Sequence, residues 1–236
     1  MLNSTFDRVE CAFAQEQQFA AVTAHELRTP VTVIITETQT ALARQRTAAE
    51  YRETVKVGLD AAQQMKRLTE SLLELAFFNA GSERVSQADV DLAKSARYCL
   101  ERLRPLAAQQ GIRLRGDFAP ARATCNRNNA ERLISNLLTN AIYYNKLNGE
   151  VRLATFAEAD FAVLTIADTG IGIPAADLPC IFDRFYRVDK CRSRREGHTG
   201  LGLAICKAII EAARGTIEVA STPNEGTTFT VRLPGR

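Results

Sequence analysis

The chain has 236 residues, 46% of them hydrophobic, and a formal net charge of +3. That length holds one large domain or two small ones, the apolar share supports a packed core, and so weak a charge does not mark a nucleic-acid binder. No apolar run reaches the roughly 18–20 residues of a membrane span, and the N-terminus lacks the basic region and apolar core of a signal peptide. The chain as given is therefore expected in the cytoplasm. Six cysteines, at 11, 99, 125, 180, 191 and 206, form no C-x-x-C pair. They read as free thiols of a reducing compartment.

Residues 1–80 hold almost no glycine and read as two helices. Residues 10–46 carry Phe19, Val22, Leu27, Val31, Ile34, Thr38 and Ala41 along one side, and residues 48–79 carry Val55, Leu59, Ala62, Met65, Leu68, Leu72 and Leu75. Between them Thr47 and Glu50 have capping-box spacing. An antiparallel hairpin results, and pairing two hairpins into a four-helix bundle would bury the stripes that one leaves open. The polar stretch "NAGSERVSQAD" (79–89) breaks the periodicity and reads as a linker. The grammar then mixes. "DLAKSARYCLERLRPLAAQQ" is a helix stopped by Gly111, "IRLRGDF" a strand, and "NNAERLISNLLTNAIYYN" a helix. "EVRLATFAE" and "FAVLTIAD" form a hairpin. "GLGLAICKAIIEAARG" is a helix with Gly215 as its stop, and "TIEVAST" and "GTTFTVRLP" close the sheet. The fold class is α+β multidomain: a helical hairpin, then a sandwich with helices on one face of a mixed or antiparallel sheet. The expected boundaries are 1–18 for a helical lead-in, 19–80 for the hairpin, 81–90 for the linker and 91–236 for the sandwich.

Four stretches carry chemistry. In "IADTGIGIP" Asp168 ends a strand before Gly170 and Gly172, so a carboxylate meets a backbone that can approach a ligand closely. In "GHTGLGLAI" Gly200 and Gly202 precede an apolar helix, whose first N–H groups suit an anion. Leu203 and Ala204 stand where a Walker loop requires Lys and Ser/Thr, so that motif is excluded. In "NLLTNAIYYN" Asn136 and Asn140 lie one turn apart on one face, and Asn140 could hold a hydrated Mg²⁺ through its amide oxygen. The fourth stretch is "AHELRTPVT". His25 precedes Glu26, Thr29 follows one turn on, and Pro30 cannot donate to the Glu26 carbonyl, so a bend is expected there. Thr29 occupies the position where a zinc-protease H-E-x-x-H motif needs its second histidine.

Taken in order, "HELRTP", "NLLTNA", "DTGIGI", "IFDRFYR" (181–187), "GLGL" and "NEGTTFTVRLP" resemble the boxes of the sensor histidine kinases of two-component signalling. The resemblance covers nearly the whole chain. It implies a dimerisation and phosphotransfer domain, then an ATP-binding domain of the kind shared with gyrase and Hsp90. It implies autophosphorylation of His25 by ATP with Mg²⁺, and transfer to an aspartate in the receiver domain of a response regulator. Glu26 would act as base, and Thr29 would orient water for dephosphorylating the regulator. Asp168, with Gly170 and Gly172, would bind adenine, and Tyr144 would pack beside it. Asn136 and Asn140 would handle Mg²⁺ and phosphates, with Asn140 as the metal ligand. Arg187, Thr199, Gly200, Leu201 and Gly202 would lie at the phosphate end, and Phe182 and Phe185 would anchor the lid that follows. The implied partners are a second copy and the regulator, with no nucleic acid. A membrane would be reached only through a segment absent from this chain, anchoring the full-length protein at the inner membrane.

Two departures from the pattern bear on catalysis. Tyr143 stands where the family usually has a basic residue, which Lys146 or Arg187 would have to replace, and Cys125-Asn126 stands where Gly-Asp is frequent. Two other functions stay open at this point: a phosphatase-only or weakly catalytic dimeric scaffold, and an ATP hydrolase of the same superfamily.

Overall fold

A computed structural model describes residues 2–79, 89–188 and 199–235. The basic run 190–195 and His198, which the resemblance would put in the lid, lie outside the described residues. The described residues form two compact units: residues 2–72 with Thr199 in one, and residues 73–79, 89–188 and 200–235 in the other.

The first unit is the hairpin. Helix α1 spans Leu2–Leu42 and α2 spans Ala48–Asn79. The turn between them ends in the predicted capping box: Thr47 N–H donates to Glu50 Oε2 at 2.8 Å and Glu50 N–H donates to Thr47 Oγ1 at 3.3 Å. These bonds satisfy two of the orphan donors at the start of α2. α1 runs unbroken through Pro30, which is buried. Hydroxyls on either side of the proline bond back to carbonyls four residues earlier, Thr29 to His25 at 3.1 Å and Thr32 to Arg28 at 2.9 Å. The predicted stripe of α2 is corrected in its first half. Val55 and Leu59 are exposed, while Ala61 and Leu68 are buried seven residues apart. The helix has two apolar faces, and a stripe read in steps of three and four slid from one to the other.

The second unit holds β1 (Asp89–Asp91), α3 (Leu92–Gln109), β2 (Arg113–Phe118), β3 (Arg122–Thr124), α4 (Arg127–Tyr143), β4 (Glu150–Glu158), β5 (Phe161–Asp168), α5 (Gly202–Ala212), β6 (Thr216–Thr222) and β7 (Gly226–Pro234). A 3₁₀ turn at Leu178–Cys180 lies before α5. The main sheet runs β2-β4-β5-β7-β6, with β2 parallel to β4 and the other pairs antiparallel. The short β1–β3 ladder was not predicted, since three residues show no period.

Register decides which face is inside. Leu153 pairs with Ile166, Ile166 with Phe229 and Phe229 with Val219, and this row is largely buried. Side chains alternate faces, so the row two residues on, Val151–Asp168–Thr227–Ser221, points the same way. That face is covered by α3, α4 and α5, whose apolar residues complete the core: Leu133, Ile134, Leu137, Leu138, Ile205 and Ile209 are each at most 1% exposed. Asp168 is thus a carboxylate at the end of a core strand on the helix-covered face.

The helix stops differ in one case from expectation. Gly111 takes the left-handed conformation (φ 70°) after α3, as predicted. After α5 that conformation falls on Arg214 (φ 57°) rather than Gly215. Gly215 is required for a different reason: a Cβ there would lie 2.4 Å from the Arg232 carbonyl.

Candidate nucleotide and phosphoacceptor sites

The sheet-unit site is built along α4. Its C-terminal end meets the first glycine motif. Tyr144, the C-cap, accepts a hydrogen bond from Ile171 N–H at 3.0 Å. Gly170 fits only because it lacks a side chain, since a Cβ would sit 2.3 Å from the Tyr144 carbonyl oxygen. Gly172 has φ 67° and packs against the Thr222 carbonyl, which a Cβ would approach to 2.1 Å. Both glycines are therefore demanded by local geometry.

Asp168 is held from two sides. Its Oδ1 accepts from Gly170 N–H at 2.8 Å and from Thr227 N–H at 3.2 Å, leaving Oδ2 for a ligand. Burial pushes its pKa up to about 6, against the pull of those two bonds and of the nearby Lys146 ammonium. A carboxylate fixed by backbone donors at the end of a core strand suits an exocyclic amine. Lys146 itself donates to the Asn224 carbonyl, at the same end as Asp168.

Four supporting residues were missed. Asn145, 7% exposed, donates through Nδ2 to the Ala141 and Glu150 carbonyls and accepts from Lys146 N–H. Thr169 Oγ1 accepts from Glu150 N–H at 2.9 Å and donates to Asn145 Oδ1 at 3.2 Å. Ser221 Oγ accepts from Ile173 N–H and meets Thr227 Oγ1 at 2.9 Å. Together they weld α4, the glycine turn and the β6–β7 hairpin. Asn145 showed a faint signal, an amide just past an apolar helix; the others look like ordinary strand and turn residues.

Half a helix away lies the second end. Asn136 is eight residues before Tyr144, about 12 Å along the axis. Its Nδ2 donates to the Gly202 carbonyl at 3.3 Å, tying α4 to the first turn of α5. The N-cap residue of α5 is Leu201, whose side chain has no group to cap the helix, so the leading N–H groups suit an anion. Gly200 (φ 71°) allows the approach, with its carbonyl accepting from Phe185 N–H at 2.9 Å. Asn140 sits on the same face as Asn136, and both are half-buried. Phe182 packs edge-on against Phe229, with ring centroids 6.4 Å apart, so it is tied to the core. Cys206 in α5 is fully buried, and desolvation pushes its thiol up to about 12, so it is inert. Cys99, Cys125, Cys180 and Cys206 form no disulfide.

In the hairpin unit His25 and Thr29 are exposed and Glu26 is half-buried. A phosphoryl acceptor must be reachable, and this imidazole is.

Comparison with known proteins agrees with both parts. Residues 15–81 match the model of the His Kinase A (phospho-acceptor) domain, and residues 125–236 match that of the histidine kinase-, DNA gyrase B- and HSP90-like ATPase. The chain belongs to the sensor histidine kinases. The sensor protein IrlS of Burkholderia pseudomallei is 35% identical over 234 residues, covering 98% of this chain and 50% of that protein. The chain thus spans about half the length of the curated relatives it matches. The histidine kinase AdeS of Acinetobacter baumannii shares the fold with a TM-score of 0.72 at 24% identity, covering 89% of this chain and 97% of that one. So does histidine kinase ThkA, solved in complex with the response regulator protein TrrA, with a TM-score of 0.75 at 18% identity, covering 96% and 64%.

Proposed function

We propose that the chain phosphorylates His25 with ATP and passes the phosphoryl group to an aspartate in the receiver domain of a response regulator. The observation that carries this reading is the pairing, along one helix of the ATPase-like unit, of a half-buried carboxylate held by backbone donors with a helix N-terminus whose N-cap residue is a leucine. Asp168 takes the adenine amine, with Tyr144, Gly170 and Gly172 around the base. The α5 N-terminus takes the phosphates, with Arg187, Thr199, Gly200, Leu201 and Gly202 contributing at that end.

Attack by a neutral ring nitrogen of His25 on the γ-phosphorus forms the P–N bond and breaks the bond to the β-phosphate oxygen, releasing ADP. The proton on the ring's other nitrogen passes to Glu26, which also fixes the tautomer. Thr29 orients water for the reverse duty, dephosphorylating the regulator. Its hydroxyl hydrogen is donated to the His25 carbonyl, which leaves its lone pairs to hold that water.

Mg²⁺ fits this donor set. It keeps waters and phosphate oxygens and asks the protein for little, so the Asn140 amide oxygen would be its protein ligand. Among the described residues no group of three or more His, Cys, Asp or Glu could form a metal cage. Bound there, it would neutralise phosphate charge.

ATP hydrolysis as the main reaction is poorly served. Asn136 stands where gyrase- and Hsp90-type relatives carry a catalytic glutamate, and its amide is donated to Gly202.

The functional unit is a homodimer. On the hairpin Val31, Ile35, Leu42, Tyr51, Val55 and Leu59 are large apolar residues from 38% to 81% exposed, and a second hairpin would cover them. No described helix is long and apolar enough to cross a membrane. An upstream inner-membrane anchor remains part of the proposal, supported by the greater length of the related sensor proteins.

Incubation with γ-labelled ATP tests the reading. Acid-labile, alkali-stable label on the protein, abolished by His25→Ala and chased onto a receiver domain, is expected. Phosphate release without protein label would mean a hydrolase. Regulator dephosphorylation dependent on Thr29, without any labelling, would mean a phosphatase.

A further inference from the structure

The stretch from Pro174 to Tyr186 winds in steps of three. Asp177 N–H donates to the Pro174 carbonyl, Cys180 to Asp177, Asp183 to Cys180 and Tyr186 to Asp183, at 2.9, 2.9, 2.9 and 3.2 Å. Backbone bonds of this kind tie only near neighbours. One side-chain bond spans the coil: the Tyr186 hydroxyl donates to Asp177 Oδ1, nine residues back. The carboxylate beside it, with burial, pushes the phenol up to about 12, so the donated proton is always present near neutral pH.

What the coil positions is the residue before Tyr186. Phe185 has φ 64°, a left-handed conformation that a bulky side chain adopts only when its surroundings impose it. In that conformation its N–H reaches the Gly200 carbonyl, and its Cα fills the space a Gly200 side chain would need, 2.9 Å from a built Cβ. Gly200 leads directly into Leu201 and the first turn of α5. That turn is held from the α4 side by Asn136 and from the other side by Phe185.

We propose that Tyr186 and Asp177 form a latch: their bond holds Phe185 in its left-handed conformation, and Phe185 holds Gly200 so that the α5 N–H groups are aimed at the nucleotide phosphates. Both are positioning residues. The inference rests on the reading of α5 as the phosphate end, and it predicts an effect confined to that end.

The test compares ligands that differ only in phosphate. Calorimetry of the full chain with a non-hydrolysable ATP analogue and with ADP, and chemical-shift titration with adenosine, are run on Tyr186→Phe, Asp177→Ala and Asp177→Asn. Tyr186→Phe and Asp177→Ala should each weaken the ATP analogue about tenfold, the scale of one lost hydrogen bond to a charged group. Adenosine should stay within about twofold, and the Tyr186→Phe/Asp177→Ala double variant should be no worse than either single one. Asp177→Asn keeps an acceptor oxygen for the phenol and should stay within about threefold of the unaltered chain. Parallel loss of adenosine, or no loss of the ATP analogue, overturns the latch while leaving the nucleotide site standing. If the unaltered chain binds the ATP analogue no better than adenosine, the site reading and the latch fall together.

Discussion

In α4 of the sheet unit, Leu133, Ile134, Leu137 and Leu138 are at most 1% exposed, whereas in α2 of the hairpin Val55 and Leu59 are 68% and 54% exposed. The sheet unit closes its core with its own strands and three helices. The hairpin has two helices and two apolar faces, so it closes one and leaves the other open. The placement of polar groups follows the same division. In the sheet unit the carboxylate proposed to meet the base is half-buried and fixed by backbone donors; in the hairpin the histidine proposed as phosphoacceptor is exposed. A nucleotide-binding group gains from a dry, rigid setting. A phosphoryl carrier that must meet two partners in turn gains from exposure.

The comparison is broken most directly by charging the open face. Leu59→Glu puts a carboxylate where a second hairpin would press apolar side chains. We expect the dimer to weaken by about 2 kcal/mol, or roughly thirtyfold in its dissociation constant. Sedimentation velocity measures the loss, while nucleotide affinity of the sheet unit should not move. If the variant stays dimeric to the same concentration, the open face is not the dimer face.

Asp168 sharpens the other side. Its pKa of about 6 lies above the ordinary carboxylate value of 3.8, so the folded state holds the proton more tightly than the unfolded one. Its contribution to stability is fully present below about pH 4 and is lost as pH rises through about 6. At neutral pH the ionised group is therefore a cost kept for binding. Asp168→Asn should raise stability at pH 7.5 by on the order of 1–2 kcal/mol in urea unfolding, and nucleotide affinity should collapse. Binding has the opposite sign: the amine needs the carboxylate, so affinity in the unaltered chain should fall as pH drops through about 6. A flat binding profile between pH 7.5 and 5 would show that Asp168 does not meet the base as an anion.

What could be read from the sequence follows the same divide between local and distant causes. Asp168, Gly170, Gly172 and Gly200 were legible because strand ends, close approach and positive φ are written within a few residues. The capping box was legible for the same reason. Asn145, Thr169 and Ser221 were not, because their partners are backbone groups brought near by sheet register. The inward face of α2 was misplaced because Val55 and Leu59 are as apolar as Ala61 and Leu68, and only tertiary packing tells the two faces apart. Arg214 displaced Gly215 from the left-handed position because the glycine was needed against Arg232.

The smallest effect lies at the turn joining α1 and α2. Thr47 and Glu50 exchange bonds at the start of a helix whose stability comes mostly from packing, so removing the cap frays one turn rather than melting the unit. Thr47→Ala should cost about 1 kcal/mol in thermal unfolding of the hairpin. The Glu50 carboxyl is held below its ordinary value first by the Thr47 backbone N–H and then by the Thr47 hydroxyl. A depressed carboxylate stabilises above its unfolded pKa and stops doing so as pH falls through its folded one. The cost of Thr47→Ala should therefore be full at pH 7 and shrink in acid, as Glu50 takes up a proton and the cap weakens in the unaltered chain too. Equal costs at pH 7 and pH 3 would mean that the threonine acts through its own helix propensity, with the reciprocal bond contributing nothing.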